Sequence, residues 1–403
     1  MNGPDVRGLA RYRDLLRRRS VPALFATSIL ARLPIGMTGF ALILLVRDTG
    51  AGYGRAGVVA AAYTIALAVG APFAGRQVDR LGPRRALRPR AIAFPLLLSI
   101  TAALGAGGAP TLLLAAAAAA AGLTIPPISS VLRSIWPRVL GEDAARTAYA
   151  LEAALQELIF VAGPLVVALL AAAWAPGGVL GAAVASAIGT TVFLRLAPVR
   201  AALPAEHRHG SRLGALSSPG VRAITMLALF LGLSFAAVEI AVPAFAEDHG
   251  DAALAGIALA AFAAGSLVGG LLAGLRPSSD EPRRLVLGCA ALAVALALPL
   301  LSTSVPLMSA LLFVAGFPIA PIVAAAYGII GRVAALGSVA EAFSWFGTAV
   351  SMGFSGGAVA GGWLIDSRGW RASVALGVCF ALTGLVLTAL QRGALAAAPA
   401  ASP

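Results

Sequence analysis

Twelve apolar runs, at residues 21–46, 57–75, 91–108, 110–132, 147–172, 178–197, 222–246, 253–275, 285–303, 306–330, 342–365 and 372–391, are each 18 to 26 residues long. A helix of that length crosses the hydrocarbon core of a bilayer, and inside the core every backbone polar group has to be satisfied within its own segment. The pattern therefore predicts an all-α polytopic membrane protein with twelve transmembrane helices. The composition agrees: 59% of residues are hydrophobic and only 12% charged.

Charge then orients the chain. All 30 basic residues are arginine, and the formal net charge is +13. With an inside N-terminus, the inner segments collect the arginines of residues 1–20 and of 76–90, together with Arg133, Arg138, Arg146, Arg195, Arg200, Arg208, Arg212, Arg222, Arg276, Arg283, Arg284, Arg332 and Arg392. Only Arg47, Arg55, Arg368 and Arg371 fall outside. Short arginine-rich loops stay on the cytoplasmic side during insertion, so both termini are expected there. Arginines scattered among interhelical loops do not form a nucleic-acid-binding face. The absence of lysine removes a P-loop lysine, and with it a self-contained ATP-driven pump. It also suggests, with the abundant Ala, Gly and Pro, a GC-rich bacterial genome and hence a bacterial cytoplasmic membrane. Cys289 and Cys379 both lie in apolar runs and read as buried thiols.

In chain order, residues 1–20 form a cytoplasmic basic leader, 21–199 an N-terminal six-helix bundle, 200–222 a cytoplasmic linker, 223–391 a C-terminal six-helix bundle and 392–403 a tail. The first apolar run is too long for a signal-peptide core and is expected to be retained. A shift of 199 superposes Gly57 on Gly256, Gly70 on Gly269, Gly75 on Gly274, and Pro83, Arg84, Arg85 on Pro282, Arg283, Arg284. A shift of 189 superposes Glu152 on Glu341 and Trp174 on Trp363. Two parallel halves follow from these matches. His207 and His209 in the linker have no third ligand, so no metal site is expected, and no cofactor is implied.

The densest polar stretch, Gly75 to Arg85, reads as a short loop between the second and third helices. Its order Gly75, Asp79, Arg80, Gly82, Arg84, Arg85 resembles the signature loop of the major facilitator superfamily of secondary transporters. The resemblance implies two pseudo-symmetric six-helix bundles working by alternating access. It also implies a charge relay that latches the inward-closed state against a helix of the other half, with Asp79 as the carboxylate and Arg80 as its partner. Ser278 stands where Asp79 has its repeat counterpart, so the latch is expected to be one-sided. Gly163 and Pro164 resemble the glycine-proline element of the drug-antiporter branch, although Val166 and Val167 replace the glycine pair that usually follows.

Charges within the membrane are costly, and each is a functional candidate. Arg32 in the first helix and Glu157 in the fifth both fall near mid-bilayer and could pair. Glu157 is then either a protonatable coupling carboxylate or half of a permanent structural ion pair. Glu152 lies about 140° around the helix from Glu157 and shares a face with Gln156, as an interfacial residue near the cytoplasmic end; Glu341 reads the same way. Glu239, deep in the seventh helix, is a second proton or substrate candidate, or a carboxylate reaching water at the outer end. Arg133 weakly resembles a family arginine linked to proton transfer, or else it is simply a topology anchor. Tyr63 and Tyr327 are candidates for contacting substrate or for packing. Pro126 and Pro127 in the fourth helix, and Pro318 and Pro321 in the tenth, interrupt matching places in the two halves and mark gates.

The expectation is a monomeric secondary transporter for a small organic molecule, a drug or metabolite, exporting it against protons. An uptake carrier for a sugar or other metabolite is the alternative. A transporter-like sensor is a third reading. No Ser-His or His-Asp constellation lies at membrane depth, which argues against a membrane-embedded enzyme.

Overall fold

The computed structural model describes residues 4–51, 53–204, 214–249, 254–275 and 280–396, and among them the chain is helical with no strand. The helices are α1 (Pro4–Arg17), α2 (Val21–Asp48), α3 (Tyr53–Leu81), α4 (Pro83–Ala106), α5 (Thr111–Thr124), α6 (Ile128–Leu140), α7 (Glu142–Ala173), α8 (Gly177–Arg195), α9 (Ala197–Ala201), α10 (Pro219–Asp248), α11 (Ala255–Leu275), α12 (Glu281–Ala295), α13 (Val305–Gly316), α14 (Ile319–Val333), α15 (Val339–Arg368), α16 (Trp370–Leu390) and α17 (Arg392–Ala396). Twelve spans result, the fourth made of α5 and α6 and the tenth of α13 and α14.

Several spans run past their apolar runs, because long arginine side chains keep their charge in water while the helix continues. The Gly75–Arg85 stretch shows the consequence. It is not a loop: α3 continues to Leu81, and α4 starts at Pro83. The connection is Gly82 alone, whose φ of 77° suits a residue without a Cβ, and Pro83 then opens the next helix.

α2 to α8 pack as one bundle and α10 to α16 as the other. The 199-residue repeat has physical meaning within them. Gly70 of α3 backs onto Leu123 of α5, and Gly269 of α11 backs onto Phe317 just after α13. The prolines do break the fourth and tenth spans, at Pro126–Pro127 and at Phe317–Pro318. In the fourth, the guanidinium of Arg90 donates to the carbonyls of Leu123 and Ile125 at 2.9 and 3.4 Å, covering backbone acceptors that the break uncovers.

Two seams join the halves, α3 against α15 and α7 against α11. Their hydrogen bonds extend from mid-span to the arginine-rich end. The basic leader is in fact a helix: α1 lies across that end and touches α2, α7 and α11. Of the linker, residues 214–217 form a 3-10 turn. His207, His209 and Ser278 lie outside the described residues.

Candidate functional site

The centre of the first half is a buried charge cluster built on three helices. Ser129, Arg133 and Trp136 share one face of α6, and Tyr149, Glu152 and Gln156 share one face of α7, by helical spacing. Arg32 of α2 projects between them. Arg32 Nη1 and Arg133 Nε each sit 2.9 Å from Glu152 Oε1, and Trp136 Nε1 donates to Glu152 Oε2 at 3.2 Å. Arg32 Nη1 also reaches the Gln156 and Ser129 oxygens at 3.4 Å. Tyr149 donates to the Arg133 carbonyl, and the Arg133 guanidinium stacks 3.8 Å from the centre of the Tyr327 ring in the other half.

These contacts correct three expectations. Arg32 pairs with Glu152 and not with Glu157. Glu152 is no interfacial residue, being wholly buried. Arg133 is more than a topology anchor, since it too is buried against Glu152. The helix phase explains the first: the 140° between Glu152 and Glu157 turns one toward α2 and α6 and the other toward α11. Two guanidiniums share one carboxylate, a formal excess of one positive charge, and Arg32 Nη2 has no hydrogen-bond partner. Trp136 and Tyr149 were not singled out from the sequence, although their spacing from Arg133 and Glu152 is a readable signal.

Glu157, freed of Arg32, sits at the seam. The hydroxyl of Ser266 in α11 donates to its Oε1 at 2.9 Å. Glu239 of α10 is half-buried within electrostatic reach of Glu157. Among the described residues neither carboxylate has a cationic partner. Toward the arginine-rich end the same seam closes on small residues, Gly270 against Ala154 and Gly274 against Ala150.

The α3–α15 seam carries the latch residues. Asp79 takes the backbone N–H groups of Ala340 at 3.0 Å and Glu341 at 2.9 Å, so it caps the first turn of a helix in the other half. Arg76 grips Glu341 with two bonds, of 3.1 and 2.7 Å. Arg80 does not serve as the partner of Asp79: it is exposed, four residues along the helix from Arg76. Arg84 is half-buried and Arg85 exposed, both beyond the seam. A Cβ on Gly75 would stand 2.6 Å from the Ala340 oxygen and 2.8 Å from the Glu341 Cα, so only glycine permits this approach. Farther in, Ser130 bonds Ser344 at 2.9 Å, and Thr348 donates to the Ala68 carbonyl at 2.8 Å. Glu341, expected to be interfacial, is thus buried in a cross-half ion pair.

A further ion cluster spans the two halves at the same end. Glu281, at the start of α12, lies 3.3 Å from Arg146 of α7 and 2.9 Å from Arg332 of α14, and ties the second half back to the first. Glu281 lies three residues beyond Ser278, the repeat counterpart of Asp79, and Ser278 itself is outside the described residues. At the same end, Tyr12 of α1 donates to the Leu271 carbonyl of α11 at 2.8 Å. Burial pushes the Tyr12 hydroxyl up to about 12, against the opposing pull of Arg284.

Gly163 and Pro164 lie within the first half, where Gly163 meets Gly36 and brings α7 directly onto α2. Tyr63 is buried inside the first bundle and Tyr327 in the seam beneath Arg133. Among the described residues no three His, Cys, Asp or Glu side chains cluster to hold a metal.

The sequence model of the Major Facilitator Superfamily matches residues 24–274 and 223–401. The chain belongs to that superfamily. Its fold is shared with solved structures at low sequence identity. A bacterial homologue of the iron transporter ferroportin, in the outward-facing state, is 14% identical with a TM-score of 0.76, over 92% of this chain and 98% of that one. The human organic anion transporter MFSD10 (TETRAN) is 16% identical with a TM-score of 0.70, over 92% and 99%. The major facilitator transporter FucP, in the outward conformation, is 11% identical with a TM-score of 0.67, over 91% and 97%. No curated protein matches the sequence. The superfamily, the two bundles and the twelve spans make this chain a multi-pass membrane transporter.

Proposed function

We propose that this transporter exports a small organic molecule, a drug or metabolite, in exchange for protons, and that Glu157 carries the proton. The observation behind this reading is the Glu157–Ser266 hydrogen bond, made at mid-span between the two halves by a carboxylate without a cationic partner among the described residues. A charged carboxylate in that setting is costly, so loss or gain of its proton changes the free energy of the α7–α11 contact. Glu239, its electrostatic neighbour, extends the acidic surface on which a proton and a substrate compete.

With the arginine-rich end on the cytoplasmic side, as the insertion rule has it, the closed seams face inward and the molecule stands in its outward-facing state. Protonation from outside and substrate release then share one conformation, which is the order an exporter needs. The likeness of Gly163 and Pro164 to the drug-antiporter element supports the same direction. The protein works as a monomer in a bacterial cytoplasmic membrane with both termini inside.

The test is proton movement in energised inside-out vesicles, followed with a ΔpH probe as lipophilic cations, neutral drugs and organic anions are added in turn. A compound that collapses the gradient with the wild type but not with Glu157→Gln supports the reading. Transport that persists in Glu157→Gln with an unchanged proton response overturns it.

A further inference from the structure

A groove of about 580 Å³ opens between α12 and the broken tenth span. Its mouth is at the arginine-rich end, where Arg283 and Arg284 stand on the first turn of α12. Its wall is apolar. Leu287, more than half exposed, and Ala291 follow the arginines at one-turn intervals, and Phe317 and Pro318 face them from the break between α13 and α14. Gly288 keeps the floor low: a Cβ there would stand 2.8 Å from Ile322. From Arg284 to Ala291 the helix rises about 10 Å, room for a stretch of hydrocarbon chain beneath a headgroup.

Among the described residues, basic side chains outnumber acidic ones at the mouth. Glu281 is turned inward onto Arg146 and Arg332. Asp280 caps α12 through the Arg283 N–H and stands 4.0 Å from Arg392. Arg284 also lies within electrostatic reach of Glu281, so the guanidiniums of Arg283, Arg284 and Arg392 face the carboxylates of Asp280 and Glu281, the latter shared with Arg146 and Arg332. Arg284 bonds the Ala273 carbonyl through one nitrogen, and Arg283 is exposed.

The first half shows what such a place holds when the chain fills it. Under the 199-residue repeat Arg90 corresponds to Cys289. Arg90 lies across the break of the fourth span, bonded to the carbonyls there, whereas Cys289 is a buried thiol that leaves the tenth span's groove clear.

We propose that this groove is a binding site for an anionic glycerophospholipid, with the phosphodiester held by Arg283 and Arg284 and an acyl chain lying along Leu287 and Phe317. The groove lies between two membrane spans, its wall takes hydrocarbon, and its mouth complements a phosphate. Basic pockets of this kind between spans select anionic headgroups.

The purified full chain in neutral detergent provides the test, by native mass spectrometry and thermal unfolding. The additives are phosphatidylglycerol, phosphatidylcholine, inorganic phosphate and water-soluble glycerophosphoglycerol. Phosphatidylglycerol is expected to stay bound and to raise the unfolding temperature, while the other three do neither. Arg283→Gln, at an exposed position, is expected to lower retention of phosphatidylglycerol severalfold without changing the unfolding temperature of the lipid-free protein. Ala291→Trp, which fills the wall and leaves the arginines in place, is expected to do the same. Equal retention of phosphatidylcholine and phosphatidylglycerol overturns the proposal, as does unchanged retention in both variants. Binding of inorganic phosphate or glycerophosphoglycerol as tight as that of the lipid overturns it too, since the groove would then play no part.

Discussion

The two seams that join the halves close the same end of the molecule by different means. Along α3 and α15 the closure is polar and concentrated at the rim: Asp79 caps a foreign helix, Arg76 grips Glu341, and Gly75 lets the backbones meet. Along α7 and α11 it is spread out. Small residues pack from Ala150 to Ala154, one carboxylate bonds a hydroxyl at the centre, and Glu281 and Tyr12 tie the rim from neighbouring elements. Since the seams are related by the internal repeat, the contrast separates two tasks. The first seam is a catch at the arginine-rich rim. The second places a carboxylate at mid-span, where under the proposed function its proton would bias closure along the whole contact.

The contrast can be broken most severely at Gly75. Gly75→Leu puts a side chain where even a Cβ clashes with Ala340 and Glu341, an overpacking of about 3 kcal/mol or about a hundredfold against the closed state. With Cys289 and Cys379 replaced by serine, a Ser344→Cys reporter is expected to become reactive to a membrane-impermeant maleimide added from the arginine-rich side. Protection as complete as in the parent would show that this seam does not control closure.

Asp79→Asn is expected to act next most strongly. The amide loses one acceptor oxygen and the charge that faces the α15 N-terminus, about 1 to 1.5 kcal/mol or about tenfold in the same labelling rate. Should Arg76→Gln prove far more harmful than Asp79→Asn, the ion pair would outrank the cap. That order is not expected, since about a third of the Arg76 side chain is exposed and its pair is screened.

On the second seam, Ser266→Ala removes the hydrogen bond from Ser266 to Glu157, about 1 kcal/mol, for about a fivefold change in exchange between the closed and open forms. Its effect on the Ser344→Cys reporter should be smaller than that of Asp79→Asn, while its effect on proton-driven transport should be larger. A reversed order would mean that the two tasks are not divided in this way.

Tyr12→Phe carries the smallest expected effect, about 0.5 to 1 kcal/mol or about threefold in labelling rate. The same contact has a pH signature. With the hydroxyl raised to about 12 by burial, its contribution to docking of α1 is complete below the ordinary tyrosine value of about 10 and is lost as the pH climbs through 12. On alkaline titration the tyrosine absorbance of Tyr12→Phe should lack a group that ionises near pH 12 in the parent protein.

Much of this was legible in the sequence, for identifiable reasons. Spans announce themselves because hydrocarbon leaves the backbone no alternative to helix, and the breaks at Pro126–Pro127 and Pro318 follow from the missing amide hydrogen. Asp79 could be found from the spacing of its motif. The partner of Arg32 could not, because choosing between Glu152 and Glu157 requires knowing which neighbour lies on which side of α7. The continuation of α3 through Asp79 was obscured by its charges, which look like loop chemistry but sit on a helix projecting into water. Glu281 was missed because the second half's ion pair to Arg146 comes from the next helix, a displacement that a fixed repeat offset does not follow.

The connection between α1 and α2 has a mechanical consequence. Only residues 18–20 separate the two helices, so the α1 end can move at most about 14 Å from the start of α2. Arg18, in that joint, is bonded to the Leu140 carbonyl of the first half. On opening of the α7–α11 seam, this joint is expected to hold α1 to the first half, and the Leu271 carbonyl would then lose its hydroxyl. The leader becomes a pointer fixed to one rigid body and read against the other. A fluorophore on exposed Asp14, paired with one on exposed Leu336, would follow each turnover as a change in distance without a label inside the membrane.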